Sequence, residues 1–348
     1  MNALSALAAR MFATNFKRLP FPYKLTLILT YTCNCRCKMC NIWQRDSSAQ
    51  MSLDEYREFF QKSNRFSWIN LSGGEIFMRP DLIEIVKLMI GNCKDLYLID
   101  FPSTGQQTQY IEKKVREILD LKPKRLLVTL SLDGTREGHD EIRQVEGAWE
   151  RCTDTFNLLR QINRENFGVY FGLTLSGFNE GQFPQAVKDV QAKLPYVTHK
   201  DFHVNVAHES GHYYQNGGMP RASLEGLQEI LGEIRKLRGK PRNPVAWLED
   251  RYLALAPEFA RSGQSPMVCQ ALASSVFIDP FGDIYPCSIY DRKAGSLRGC
   301  DYDLARFWQE NETKNLRKEI EEGKCPQCWT PCEAYQTILS QLSKTLFQ

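Results

Sequence analysis

Cys33, Cys37 and Cys40 stand in the spacing C-x3-C-x2-C within TCNCRCKMCNIW, residues 32–43. An iron–sulfur cube normally takes four cysteine thiolates, one per iron. Three thiols packed this closely can wrap three corners and leave one iron open to a small chelating ligand. Zinc ligation and disulfide pairing are the competing chemistries. Zinc sites favour paired C-x2-C knuckles, whereas Cys35 stands between Cys33 and Cys37 as an extra thiol.

A second set lies far downstream: Cys269, Cys287, Cys325 and Cys328, with Cys332 close behind. Cys269 and Cys287 bracket a hairpin expected at 275–285, and Cys325-Pro326-Gln327-Cys328 is a C-x2-C knuckle. Four ligands from two distant segments can close around one cube or hold a structural zinc. The C-x3-C step from Cys328 lets Cys332 replace one of them. Cys35, Cys93, Cys152 and Cys300 read as packed or loop thiols.

Two further stretches carry chemistry. Adjacent glycines in Gly73-Gly74-Glu75 let backbone approach a ligand closely, with free amides and carbonyls to hold it. His203, Asn205, His208 and His212 cluster near Glu209, Tyr213 and Tyr214, where they can bind polar substrate groups or move a proton. Ordinary hydrogen bonding competes for each.

These residues need a frame. Strand patterns at 24–30, 68–71, 96–101, 125–132, 169–176 and 200–206 alternate with helical patterns at 52–62, 81–90, 108–119, 147–163 and 183–194. Such alternation predicts a parallel α/β architecture. Ser52 and Glu55 have the form of a capping box. Within the strands, Phe202, Val204 and Val206 share one face while Asp201, His203 and Asn205 share the other. Strands buried on both faces read as continuous apolar runs. The polar second face therefore predicts an open barrel with a solvated or ligand-filled lumen. A satisfied internal hydrogen-bond layer is the alternative.

Past residue 215 the rhythm changes. A helix is expected at 224–237, a boundary at 239–244, then the hairpin, a charged helix at 304–322 and a terminal helix at 333–346. The division reads as an N-terminal helix at 1–22, a barrel at 23–240 and a C-terminal unit at 241–348. Net charge is +3 with no long basic run, which argues against a nucleic-acid partner. Twelve cysteines without a convincing export signal predict a reducing, cytoplasmic setting. The apolar run 3–13, interrupted by Arg10, is too short to span a bilayer. It reads as a packed helix in preference to one resting on a membrane surface.

Together these motifs resemble the radical S-adenosylmethionine (SAM) superfamily, whose signature is C-x3-C-x2-C after the first barrel strand. Met39 stands where many members carry an aromatic residue. The resemblance implies a [4Fe–4S] cluster on Cys33, Cys37 and Cys40 whose open iron is chelated by the amino and carboxylate groups of SAM. One-electron cleavage of SAM then gives a 5′-deoxyadenosyl radical that abstracts hydrogen from substrate. It also implies a partial (β/α)6 TIM-like barrel, followed by a small α+β twitch-like iron–sulfur domain. SAM contacts are implied at Gly73, Gly74 and Glu75, at Ser103, at Ser131 and Asp133, and at Thr174, Ser176 and Asn179.

The second cysteine set resembles the twitch domain, the shortened form of SPASM, as in the 2-deoxy-scyllo-inosamine dehydrogenase type. That likeness implies one auxiliary [4Fe–4S] cluster, since a full SPASM domain needs more cysteines than this tail has. An electron donor such as flavodoxin or ferredoxin is implied as partner. The substrate expected is a small polar metabolite, a sugar or aminocyclitol alcohol that is oxidised or epimerised. Peptide-modifying and lipid-modifying enzymes are the alternatives, and a non-catalytic iron–sulfur or zinc scaffold is the alternative of another class.

Overall fold

The computed structural model describes residues 2–342. In chain order it runs α1 (Ala3–Ala13), β1 (Lys24–Thr30), α2 (Leu53–Lys62), β2 (Trp68–Gly73), α3 (Leu82–Asn92), β3 (Leu98–Ser103), α4 (Thr108–Asp120), β4 (Arg125–Ser131), α5 (Arg136–Arg143), α6 (Ala148–Arg160), β5 (Phe167–Leu175), α7 (Phe183–Lys193) and β6 (Phe202–Val206). The six strands pair in parallel, each with the next in sequence. The Ser52–Glu55 capping box opens α2 as expected.

Burial follows the period-2 pattern. β4, β5 and β6 alternate buried and half-buried residues, whereas β1 is buried along its whole length. The apolar faces of β4–β6 meet the helices outside; Phe156 of α6 stacks on Phe171 of β5 with ring centroids 3.9 Å apart. Truncating such a ring to alanine costs about 3–5 kcal/mol. The half-buried face turns inward. In register, Asn70 lies beside Asp100, Ser131 beside Gly172, Gly172 beside His203 and Thr174 beside Asn205.

The sheet continues beyond β1. β7 (Ser275–Ile278) pairs with β1 in parallel, from Lys24↔Ser275 to Leu27↔Ile278, and β8 (Asp283–Tyr285) and β9 (Gly295–Ser296) follow antiparallel. The hairpin expected at 275–285 thus extends the barrel's own sheet, in the order β6-β5-β4-β3-β2-β1-β7-β8-β9. Its turn is fixed by the Asp279 carboxylate, which accepts from Phe281 N and Asp283 N at 2.9 Å each.

Between β6 and β7 lie α8 (Leu224–Arg238) and α9 (Pro244–Ser262), and α10 (Leu304–Gln309), α11 (Asn311–Glu321) and α12 (Pro331–Leu339) close the chain. Helices α5 and α9 have no counterpart in the sequence expectation. Pro244 reads as a breaker, but it sits in the first turn behind the Asn243 cap, where a missing N–H is harmless. The helix expected at 304–322 is two, because Glu310 is extended with ψ 143°. α12 begins at Pro331, and part of its expected run to 346 lies outside the described residues.

α9 stands against β6, and α12 packs on α9. Tyr252 OH donates to Asn205 Oδ1 (3.3 Å), Arg238 donates to Glu249 (3.2 Å), and Tyr335 OH donates to Glu249. α1 packs beneath the barrel, where Leu7 joins Leu19, Tyr23 and Trp68, and Arg10 pairs with Asp95 at 2.6 Å. Phe12 of α1 and Phe16 just beyond its end are exposed. Among the described residues no helix is long and apolar enough to cross a membrane.

Candidate functional site

The cysteine loop leaves β1 and is gripped from three sides. Gly74 N donates to Thr30 O and Glu75 N to Thr32 O, both at 2.9 Å. Arg36 N donates to Arg143 O (3.1 Å) and Lys38 N to Ile142 O (2.9 Å), which docks the loop on the end of α5. Asn41 N donates to Tyr214 O at 2.8 Å. The glycine pair permits the first grip: a Cβ at Gly73 would lie 2.3 Å from Thr30 O, and one at Gly74 2.3 Å from Thr32 O. Gly73 also has φ +145°, which side chains rarely adopt.

Cys33, Cys35, Cys37 and Cys40 all line one cavity of about 350 Å³. Hydrogen bonding from Cys35 lowers the pKa of Cys33 and pulls Cys37 down to about 6, with the Arg143 guanidinium helping at Cys37. Burial pushes Cys40 up to about 12. Cys35 is itself raised by those bonds and stays a protonated donor.

Gly73, Gly74, Ser103, Ser131 and Thr174 line the same cavity; Glu75, Asp133, Ser176 and Asn179 do not. The Glu75 carboxylate is buried and accepts from Ser103 Oγ (3.0 Å), Thr104 N (2.6 Å) and Thr104 Oγ1 (2.6 Å). Burial raises its pKa against those donors. Asp133 accepts from Thr174 N (2.9 Å) and from the Arg143 guanidinium. Asn179 donates to Asp133 O (2.7 Å) and Thr174 O (2.8 Å), and accepts from Ser176 N (2.8 Å). These four side chains brace strand ends, with polar atoms engaged inside the protein.

Deeper in the cavity stand Asn70, Asp100, Thr129, Gly172, His203 and Asn205. Asp100 accepts from Trp68 Nε1 and from Asn70 Nδ2 (2.6 Å). Burial lowers the pKa of His203, whose ring lies 4.3 Å from that of Tyr170. His208 also lines the cavity; its Nε2 accepts from Trp329 N at 3.3 Å, and burial holds it down to about 4. His212 is placed elsewhere, stacked on Tyr285 at 4.3 Å behind the cavity wall. Asn70, Asp100 and Arg143 are additions that sequence reasoning missed. A lone Asp in the apolar run Leu98-Ile99-Asp100-Phe101 is a period-2 signal that marks an inward position.

The second cysteine set lines a separate cavity of about 340 Å³, formed by Cys269, Cys287, Cys325 and Cys328. Their sulfurs accept from Ala271 N (3.5 Å), Tyr290 N (3.3 Å) and Gln327 Nε2 (3.3 Å), and burial raises all four pKa values. Cys332 is absent from this lining and faces the barrel cavity instead, beside Thr330, Pro331 and Tyr335. Among the described residues no three Cys, His, Asp or Glu side chains converge tightly enough for a single metal ion.

The sequence profile of the radical SAM superfamily matches residues 27–190, and that of the SPASM iron–sulfur cluster-binding domain matches residues 269–332. The chain is a radical SAM enzyme with a SPASM domain. A [4Fe–4S] cluster, SAM and auxiliary iron–sulfur binding are therefore its cofactor chemistry. This radical SAM enzyme is 22% identical over 326 residues to the antilisterial bacteriocin subtilosin biosynthesis protein AlbA of Bacillus subtilis, covering 88% of this chain and 66% of AlbA. It is 23% identical over 318 residues to the AdoMet-dependent heme synthase of Methanosarcina barkeri, covering 86% of each. Its fold is shared with Streptococcus suis SuiB bound to S-adenosylmethionine, at TM-score 0.59 and 15% identity over 89% of this chain and 70% of SuiB. It is shared also with anSMEcpe with bound AdoMet, at TM-score 0.58 and 14% identity over 93% and 98% of the two chains.

Proposed function

We propose that this radical SAM enzyme is an oxidoreductase that takes a hydrogen atom from a small polar metabolite, an alcohol carbon of a sugar or aminocyclitol. The observation that carries this reading is the lumen itself. Its inward residues are Asn70, Asp100, Thr129, His203 and Asn205, and Cys332 and Tyr335 wall it on the side of α12. Such groups suit a hydroxylated substrate and disfavour an apolar one.

The residues fit the cofactors. Cys33, Cys37 and Cys40 would hold three irons, and the Gly73–Gly74 backbone, Ser103, Ser131 and Thr174 would meet SAM on the cavity wall. When bound there, the cluster and SAM supply one-electron cleavage of the sulfonium bond and hydrogen-atom abstraction. The chain's part is to aim and enclose. Asp100 and Asn205 orient a substrate hydroxyl, and His203, held neutral by burial, accepts its proton. Oxidation also leaves an electron to remove; Cys269, Cys287, Cys325 and Cys328 would hold an auxiliary cluster beyond the Trp329–Pro331 segment. Requenching of the carbon radical instead gives epimerisation.

A peptide substrate is the second reading. It is favoured by the similarity to AlbA, a bacteriocin biosynthesis protein, and to SuiB, also solved bound to the precursor peptide SuiA. In that case one polar side chain of the peptide enters the lumen. The deciding experiment uses anaerobically reconstituted, reduced protein with SAM and a deuterated candidate. Deuterium in 5′-deoxyadenosine from a polyol or aminocyclitol supports the first reading, and a mass change confined to a peptide replaces it. If Cys33→Ala, Cys37→Ala and Cys40→Ala leave 5′-deoxyadenosine formation intact, both readings fall.

A further inference from the structure

We infer that Arg143 sets the reduction potential of the cluster held by Cys33, Cys37 and Cys40, through an N–H···S contact to Cys37, and that Asp133 positions it for this. The inference rests on the reading that these cysteines hold a cluster, and it concerns one specific contact within that site.

Arg143 Nη1 lies 3.5 Å from Cys37 Sγ, and Nη2 donates to Asp133. The two side chains are 13% and 1% exposed. Backbone bonds fix the geometry from both sides of Cys37: Arg36 N donates to Arg143 O and Lys38 N to Ile142 O. The guanidinium and the cysteine therefore belong to one rigid patch. Asp133 is in turn pinned by Thr174 N, so the arm that carries Arg143 to the sulfur has little freedom.

The pairing of Arg143 within the protein is incomplete. Asp133 already neutralises the guanidinium through one N–H, while a second N–H is aimed at a sulfur and Nε is buried without a partner. Burying a cation with such incomplete pairing is unfavourable unless further negative charge faces it. A thiolate that ligates iron supplies it. The other cations of the loop are engaged elsewhere: Lys38 pairs with Glu141 at 2.5 Å, and Arg36 donates to Cys33 O at 2.8 Å. Among the described residues, Arg143 is the only cation that hydrogen-bonds a sulfur of the loop.

Reduction adds one negative charge to a cluster. Hydrogen bonds to its sulfurs and nearby net charge set its potential. A fixed guanidinium favours the reduced form by Coulomb attraction, and more strongly where water is excluded. Arg143 thus raises the potential and eases the electron transfer that precedes SAM cleavage. Among the described residues the C-terminal cysteines receive only neutral donors, from Ala271, Tyr290 and Gln327, so the device is local to the barrel.

The test is an anaerobic redox titration of the reconstituted full chain, followed by electron paramagnetic resonance, for the wild type, Arg143→Gln and Arg143→Lys. For Arg143→Gln we expect the reduced-to-oxidised ratio at fixed potential to fall at least tenfold, a shift of about 59 mV to more negative values for one electron. Arg143→Lys falls between, and the auxiliary signal stays in place as the internal control. An unchanged potential in Arg143→Gln at wild-type iron content overturns the inference. Should Arg143→Gln lose the cluster, Arg143→Lys decides alone: its single ammonium does not span Cys37 and Asp133 together, so a potential equal to wild type overturns the inference. If the wild type shows no signal that depends on Cys33, Cys37 and Cys40, the underlying reading fails and takes this one with it.

Discussion

Cys328 and Cys332 are separated by Trp329, Thr330 and Pro331, yet they open onto different cavities, one shared with Cys269, Cys287 and Cys325 and the other with the cysteine loop of the barrel. The wall between is anchored by Trp329, whose ring lies parallel to that of Tyr252 with centroids 6.1 Å apart and whose Nε1 donates to Tyr252 O at 3.0 Å. Cys328→Ala is expected to remove one cube's worth of iron and sulfide, about four of each. Cys332→Ala should leave both near wild type while altering turnover of substrate. Iron and sulfide assays on reconstituted protein check the pair, and equal losses in both variants would place Cys332 among the ligands.

Gly74 is a point of backbone contact, so its neighbour has no flexible end to move aside. Gly74→Ala drives a Cβ to 2.3 Å from Thr32 O. Relief requires the cysteine loop to shift. The expected outcome is a loss of about 1–3 kcal/mol, together with a lower iron content. Gly91→Ala in α3 is the control, since a Cβ there meets nothing within 4 Å; it should be neutral or gain up to about 1 kcal/mol. Urea midpoints of the metal-free chain compare them.

Glu75 ties the ends of β2 and β3 through donors on Ser103 and Thr104. Glu75→Ala leaves Ser103 Oγ and Thr104 N buried without this acceptor, at a cost of about 1–3 kcal/mol for the first one lost. Glu75→Gln keeps one oxygen acceptor and should cost less. SAM affinity, read by equilibrium dialysis, is expected to fall in the same order, because the Thr104 hydroxyl that Glu75 holds also reaches Asn34 in the cysteine loop.

The buried histidines make stability depend on pH. Burial lowers the pKa of His208 from 6.5 to about 4. The unfolded chain takes up this proton near pH 6.5 and the native chain only near pH 4, so the unfolded state binds more protons between those values. Stability is therefore complete above pH 6.5 and declines as pH falls toward 4, by about 3 kcal/mol from this residue. His212 acts in the same direction. His208→Gln should flatten part of the decline, measured by urea midpoints of the metal-free chain at several pH values; an unaltered slope would contradict it.

Much of the barrel was legible because its signals are local. The alternation in 202–206 and the Ser52–Glu55 cap depend on neighbours a few residues away, and both are present. The cysteine spacing and the glycine pair lay in the same category. What stayed hidden was set by distance. Nothing near Cys332 says which cavity it faces; that is decided by α12 packing against β1, where Lys24 donates to Cys332 O. Nothing near Glu75 or Asp133 shows that their carboxylates are satisfied internally, because the donors come from other strands. Arg143 was missed with its helix, a single short element whose role becomes visible only when Arg36 and Lys38 are seen to bond its end.

The parallel pairing of β1 with β7 has a consequence for how the molecule is made. Lys24 opens the first strand and pairs with Ser275, so one edge of the barrel's opening strand stays bare until the chain has emerged past β7. Such long-range pairing has high contact order and is slow to form. Until it forms, the edge of β1 is a template for pairing with other chains. The β7–β9 hairpin therefore acts as a late-arriving seal, and losing the C-terminal segment would expose a sticky barrel edge as well as remove the second cysteine set.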